Sequence, residues 1–252
     1  MIKVDLKSRS IHLMGSTITI SILHEDADSL LDQVFSLLRL YEKRFSANDD
    51  SSELMQINHA AGKHAVCVHP DLFELIELGK KHSLAPDSHL NITLGPLVQT
   101  WRIGFADAKV PSPKEIKQAL ALTDPECIEL DAATSSVFLT MEGMKIDLGA
   151  LAKGYIADKI AAFLRGQGVT SALINLGGNI LTIGLNEKNN RCWWIGIQNP
   201  SLPRGNDLAL LSIQDQSVVT SGIYERKLQV DGRVYHHIFD RTTGYPIDNQ
   251  LA

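Results

Sequence analysis

Lys145 to Leu181 reads KIDLGALAKGYIADKIAAFLRGQGVTSALINLGGNIL. It opens on an apolar run ending in Asp147 and passes through Gly149-Ala150-Leu151-Ala152-Lys153-Gly154 into an amphipathic segment. After Gly166 and Gly168 it turns apolar again from Ser171 to Leu176 and breaks at Gly177-Gly178. The pattern predicts strand, tight turn, helix, strand, with glycines at the reversals because glycine tolerates positive φ and lets other groups approach the backbone. A helix starting straight after such a turn presents free N–H groups that favour anions. A phosphate-bearing ligand beside Asp147 and Lys153 is one reading; an ordinary crossover with ordinary caps is the other. The glycine spacing matches neither the dinucleotide fingerprint nor the P-loop.

Upstream, Ile18, Ile20 and Ile22 alternate with Thr17, Thr19 and Ser21, the pattern of a strand with one buried face. Leu30, Val34, Leu37, Leu38 and Tyr41 recur at helical spacing. Ser52 is placed to cap a short helix, Pro70-Asp71 opens another, and Leu94-Gly95-Pro96 begins a segment ending near Trp101. Ser112-Pro113-Lys114-Glu115 is a capping box. Ile128–Leu130 and Val137–Leu139 read as short strands around a polar turn. Downstream of Gly178 the chain reads as mainly β. Ile180–Leu185 and Trp193–Ile197 look like a hairpin across a polar loop from Glu187 to Arg191, followed by Leu208–Ile213 and Ser217–Thr220. Asp231-Gly232 marks the clearest hairpin turn. Helices and strands interleave without a regular βαβ beat, so the expected class is α+β, one domain over residues 1–252 with two lobes.

The composition narrows the function. With 252 residues, 44% hydrophobic and 21% charged, the chain can bury a sizeable core. Its 24 basic and 29 acidic residues, net −5 and without a long basic run, argue against nucleic acid as a partner. Cys67, Cys127 and Cys192 are odd in number and lack a Cys-x-x-Cys pair, so neither a disulfide framework nor a cysteine zinc site is expected. MIKVDLKSRSIHLMGS carries no apolar signal core and no lipid-attachment cysteine. The chain as given is expected in the cytoplasm, although an exported lipoprotein trimmed of its leader would read the same way.

His237 to Pro246, HIFDRTTGYP, crowds polar groups at a strand end. His236 and His237 face opposite sides if they lie on a strand, so one of them can join a site, either as a base or as a satisfied edge residue. Asp147, at the end of an apolar run, needs a metal, a ligand donor or a backbone N–H, or else serves as an N-cap. Thr220-Ser221-Gly222 lacks the Gly-x-Ser-x-Gly of a serine hydrolase. His24, His59, His64, His69 and His82 show no metal-ligand spacing with acids.

Taken together, these motifs resemble the ApbE family of FAD:protein FMN transferases. The resemblance rests on the central stretch, Met14-Gly15-Ser16, FSANDDSSELMQIN (45–58), NITLGPLVQTW (91–101), VVTSGIYER (218–226) and HIFDRTTGYPID (237–248), in family order. It implies an ApbE-like, T-fold-related domain with FAD in a cleft between two lobes. It implies Mg²⁺-dependent transfer of FMN from FAD to a threonine or serine hydroxyl of a target flavoprotein, with AMP released; the composition, for its part, gives no transmembrane segment. Carried over by motif, Met14, Asn48, Leu90, Asn91, Ile92, Asp147, Lys153, Gly177, Gly178, Ser221, Gly222 and Thr243 would line the FAD site. Ala150 would offer its carbonyl to the metal, and His237 and Asp240 would stand near the reacting phosphate. An FAD pyrophosphatase and a non-catalytic FAD-binding protein are the alternatives.

The sequence departs from the family pattern in three places. Asn48 stands where many members have tyrosine, and Leu90-Asn91 where Phe-Asp is common. The chain stops at Leu251-Ala252, before a strand and helix that supply further metal ligands in the family. It is therefore expected to be truncated, with weakened catalysis and an unpaired sheet edge unless another chain completes the site.

Overall fold

The computed structural model describes residues 5–186, 190–203, 205–222 and 226–247. The chain divides into two interleaved compact units, residues 1–42 with 153–221, and residues 43–152 with 222–252.

The first unit is built on a five-stranded antiparallel sheet ordered β1-β2-β6-β7-β10. Its strands are β1 (Leu6–Leu13), β2 (Ser16–Leu23), β6 (Ser171–Leu176), β7 (Asn179–Ile183) and β10 (Ser217–Val219). The isoleucine alternation of β2 is realised in full, since Ile18, Ile20 and Ile22 are all 0% exposed. Each such burial contributes roughly 1.5–3 kcal/mol. Ile20 and Ile22 pair with Arg9 and Lys7 of β1, whose cations bond Asp32 and Asp28 of α1 (Ala27–Phe45). Register partners share a face, so α1 packs on the isoleucine face. Lys153, in the first turn of α6 (Ala152–Gly166), reaches Ser16 on that same face. The opposite face carries Leu6, Leu173, Ile180 and Val218, which pack against Trp193, Ile195 and Ile213. Those three belong to a separate ribbon of β8 (Trp193–Gln198) and β9 (Asp207–Ile213). The layers are therefore helices, sheet and ribbon.

This arrangement corrects one expectation. The segments at Ile180–Leu185 and Trp193–Ile197 do not form a hairpin: β7 pairs β6 and β10, and β8 pairs β9. Trp193 and Ile195 pack over the sheet face instead, and an isolated antiparallel bridge from Asn186 to Arg191 closes the loop between the segments. Residues 187–189 of the intervening loop lie outside the described residues.

The second unit holds a three-stranded sheet, β3-β5-β4, from β3 (Val66–Cys67), β4 (Ile128–Asp131) and β5 (Ser136–Leu139). Around it lie α2 (Glu53–His59), α3 (Pro70–Ser83), α4 (Gly95–Trp101) and α5 (Pro113–Leu120). Local signals hold well here. Ser52 accepts the Met55 N–H to cap α2, and the Ser112/Glu115 capping box opens α5. Asp231-Gly232 joins β11 (Lys227–Val230) to β12 (Arg233–His236) with φ of 50° and 76°. A cluster of Leu97, Trp101, Ile103, Ile116, Ala119 and Phe239 fastens α4 and α5 to the segment after β12.

The central stretch itself departs from expectation at its start. Residues 145–148 form no strand. A side chain replaces the neighbouring strand: Asn58 Nδ2 donates to the Ile146 carbonyl at 3.0 Å, and the Ile146 N–H donates to Asn58 Oδ1 at 2.8 Å. The Asp147 N–H donates to the Ile92 carbonyl at 2.8 Å. Gly149 and Gly154 are not among the residues of positive φ, whereas Gly168, Gly177 and Gly178 are. At Gly149 the fit is tight rather than strained, since a Cβ there would sit 3.0 Å from Asp147 Oδ1 and the carboxylate would have to shift slightly.

Candidate functional site

Within the second unit, Asp147 is fixed from both sides. Asn58 and Ile92 hold the main chain before and at it, and its Oδ1 accepts the Gly149 N–H at 2.8 Å. Burial pushes its pKa up, the Gly149 bond and the Arg226 charge pulling less strongly the other way. A carboxylate desolvated by burial favours a cation beside it. Ala150, exposed three residues on, offers a carbonyl. Among the described residues no group of three His, Cys, Asp or Glu could hold a metal ion. Asp147 and Ala150 are nonetheless two hard oxygen donors, which suits Mg²⁺, an ion that keeps waters and takes its other ligands from substrate phosphates.

Arg226 acts electrostatically on both Asp147 and His237. Its carbonyl lies 3.5 Å from His237 Nδ1. That contact favours the Nδ1–H tautomer and leaves Nε2 as the acceptor. Desolvation lowers the His237 pKa from its ordinary 6.5. His236 is buried, its Nδ1 accepting the Ile238 N–H. Asp240 is committed to its own turn: Oδ1 accepts both the Thr242 hydroxyl and the Thr242 N–H, and these bonds hold its carboxyl below the usual range. Thr243 is exposed, with its hydroxyl oxygen accepting the Tyr245 N–H.

Leu90-Asn91-Ile92 sits on an anchored loop. Arg241 donates to the carbonyls of Ser83, Ser88 and Leu90. Asn91 is buried, with Nδ2 on the Thr123 carbonyl and Oδ1 accepting from Thr93. The Ile92 side chain is 1% exposed, so the part it presents to Asp147 is its carbonyl. Asn48 is exposed in the loop before α2, its N–H on Ser46 Oγ.

Within the first unit, Met14 and Gly15 form the two-residue turn between β1 and β2, both at positive φ. The Met14 N–H is tied to Glu42. The next residue, Ser16, accepts from Lys153 Nζ at 3.0 Å. Gly177 lies against both: a Cβ there would clash with Ser16 and come within 3.1 Å of Lys153 Nζ. Met14, Lys153, Gly177 and Gly178 are thus brought to one corner. Ser221 lies two residues beyond the end of β10, after Thr220. Two surface depressions, of about 480 and 380 Å³, lie elsewhere, lined by β1 with α1 and by α4 with α5.

Sequence reasoning gave no role to Asn58 or Arg226, although both stand inside quoted motifs. Their importance comes from partners 88 residues away for Asn58 and from electrostatic proximity for Arg226. Removing Asn58, 6% exposed, leaves both polar groups of Ile146 unmet. Asn58→Ala is expected to cost about 3 kcal/mol, from two lost bonds and their stranded partners. Urea denaturation checks this; a change below about 0.5 kcal/mol would mean Ile146 is held by something else.

Comparison with known proteins places this architecture. The ApbE family model matches residues 14–252. An FAD:protein FMN transferase of Klebsiella pneumoniae (strain 342) is 46% identical over 244 residues, covering 97% of this chain and 75% of that protein. One from Treponema pallidum (strain Nichols) is 39% identical over 233 residues, covering 88% and 64%. The crystal structure of the ApbE protein of Thermotoga maritima superposes with a TM-score of 0.86 at 28% identity, covering 96% of this chain and 78% of that one. The flavin transferase ApbE of Vibrio cholerae gives 0.85 at 26% identity, covering 98% and 80%. The chain belongs to the ApbE family, and with it to the transferase enzymes.

Among the described residues no helix is long and apolar enough to cross a membrane. Asp248, the last residue of one quoted motif, and Leu251-Ala252, on which the expectation of a truncated end rested, lie outside the described residues.

Proposed function

We propose that this chain transfers the FMN half of FAD to a threonine or serine hydroxyl of an acceptor protein, with AMP as the leaving group. The observation that carries the reading is Asp147, a carboxylate desolvated by burial whose Oδ1 accepts the Gly149 N–H, three residues before the exposed Ala150. Asp147 and Ala150 would hold Mg²⁺, which when bound neutralises the charge of a diphosphate and so lowers its resistance to attack. The names of the relatives support FAD as the donor.

In this reading the acceptor oxygen forms a bond to the FMN phosphorus while the phosphoanhydride bond breaks, and AMP leaves with the electron pair. The hydroxyl proton passes to a base. His237 suits this better than Asp240, because its lowered pKa keeps the imidazole neutral near pH 7, whereas the Asp240 carboxylate is bound into a turn. Lys153, six positions after Asp147 in the chain, would add positive charge toward the phosphates.

Incubation with FAD, Mg²⁺ and a threonine-bearing acceptor tests the function. Covalent gain of FMN mass on the acceptor is expected; free FMN with unmodified acceptor would make water the true acceptor. The base assignment has its own test. The neutral imidazole is the active form and its pKa is depressed, so the rate is expected to rise along a limb below pH 6.5 and stay flat above it. His237→Gln is expected to remove that limb. A limb that persists unchanged would transfer the role to another group.

A further inference from the structure

Asn179 opens β7 directly after the Gly177-Gly178 turn and is 7% exposed. Its Nδ2 is itself buried and has no hydrogen-bond partner among the described residues. An unmet buried donor destabilises a fold, and native structures almost always supply it with a partner.

The sheet register shows where this donor points. Ile18, Leu176, Asn179 and Val219 form one row across β2, β6, β7 and β10. Side chains in such a row share a face. Exposure along it runs 0%, 0%, 7% and 62%, so Asn179 sits where the helix-covered face opens to solvent. Ser16, two positions before Ile18 on β2, shares this face and holds Lys153 Nζ at 3.0 Å. Gly177, with φ of 64°, brings the turn against both.

We propose that the Asn179 carboxamide is a ligand-binding group whose free N–H donates to a phosphoryl oxygen of the FAD diphosphate. This rests on FAD being the substrate. A hydroxyl, an ammonium and an unmet amide donor on one face, beside a glycine turn that admits close approach, form a site for an oxyanion. The donor is left unpaired in the ligand-free protein because its partner arrives with the substrate.

The test is FAD titration by flavin fluorescence at pH 8 on the whole chain, with thermal melting of the ligand-free protein alongside. Parent, Asn179→Leu and Asn179→Asp are compared. Asn179→Leu is expected to weaken FAD binding about tenfold, since one hydrogen bond to a charged acceptor is lost. Asn179→Asp, which sets a carboxylate against the phosphate, is expected to weaken it further, about a hundredfold. Ligand-free Asn179→Leu is expected to melt at or above the parent temperature, because an unmet donor has gone. Unchanged FAD affinity in both variants overturns the assignment. So does Asn179→Asp binding no more weakly than Asn179→Leu, because the partner would then carry no negative charge. Failure of the parent chain itself to bind FAD would overturn the substrate reading instead.

Discussion

Asp147→Asn is expected to lower FMN transfer by about a hundredfold or more, in the range found when a preorganised charged group at a reacting centre is removed, with the melting temperature unchanged or raised. The amide oxygen still accepts the Gly149 N–H and the side-chain volume barely changes, so the turn before α6 should survive. What disappears is the charge. The folded-state pKa of Asp147 is raised above its ordinary 3.8, and burial is the main cause. A carboxyl with a raised folded-state pKa favours folding fully below its unfolded pKa, and that contribution is lost as pH rises through the folded value. At neutral pH the ionised Asp147 therefore opposes folding, and asparagine relieves the opposition. Activity and stability should move in opposite directions, as is common where a binding site carries uncompensated groups. Steady-state transfer assays across a Mg²⁺ series, paired with thermal melts, check the claim. Near-parental transfer by the variant would remove Asp147 from the chemistry.

Trp101→Ala is expected to destabilise the protein by about 3–5 kcal/mol, the usual penalty for emptying a large buried aromatic site. Trp101 is 0% exposed and stands at the end of α4. Its ring lies 5.3 Å from Tyr235, 6.1 Å from Phe239 and 5.8 Å from Tyr245. Its Nε1 donates to the Gly244 carbonyl at 3.0 Å. These contacts bracket the segment that carries His237 and Asp240, so the loss should be functional as well as global. Trp101→Phe keeps most of the apolar area but strands the Gly244 carbonyl, and should cost about 1–3 kcal/mol. Guanidinium denaturation measures both values. Hydrogen exchange at Gly244 and Tyr245 should rise in each variant, and protection equal to the parent's would show that the turn is held without the indole.

Strong local chemistry made much of the fold readable in advance. The β2 alternation, the α1 spacing, the α5 capping box and the Asp231-Gly232 turn depend on neighbours a few residues away, and each appears where its pattern places it. The errors have a common cause. The apolar run before Asp147 looks like a strand, yet its hydrogen bonds go to the Asn58 side chain and the Ile92 carbonyl. The apolar segments of β7 and β8 look like hairpin mates, yet burial of Trp193 and Ile195 over the sheet face separates them. An apolar pattern says that a segment will be buried but does not say against what.

The candidate site divides in the same way. Family order and residue type singled out Asp147, Lys153, His237 and the Gly177-Gly178 turn as candidates, since each is written as a local motif. Their states were not legible. Asp240 and Asp147 are both aspartates, yet a hydroxyl and a backbone N–H hold one carboxyl low while desolvation drives the other up. Asn91 and Asn179 are both buried amides, yet one bonds to Thr123 and Thr93 and the other keeps an unmet donor. Residue order thus settles which chemical groups this chain possesses and which short elements carry them, because those follow from backbone preference and periodicity over a few positions. Which of those groups are dry, paired or left without a partner emerges only when distant segments pack, because solvation and hydrogen bonding are properties of neighbours in space.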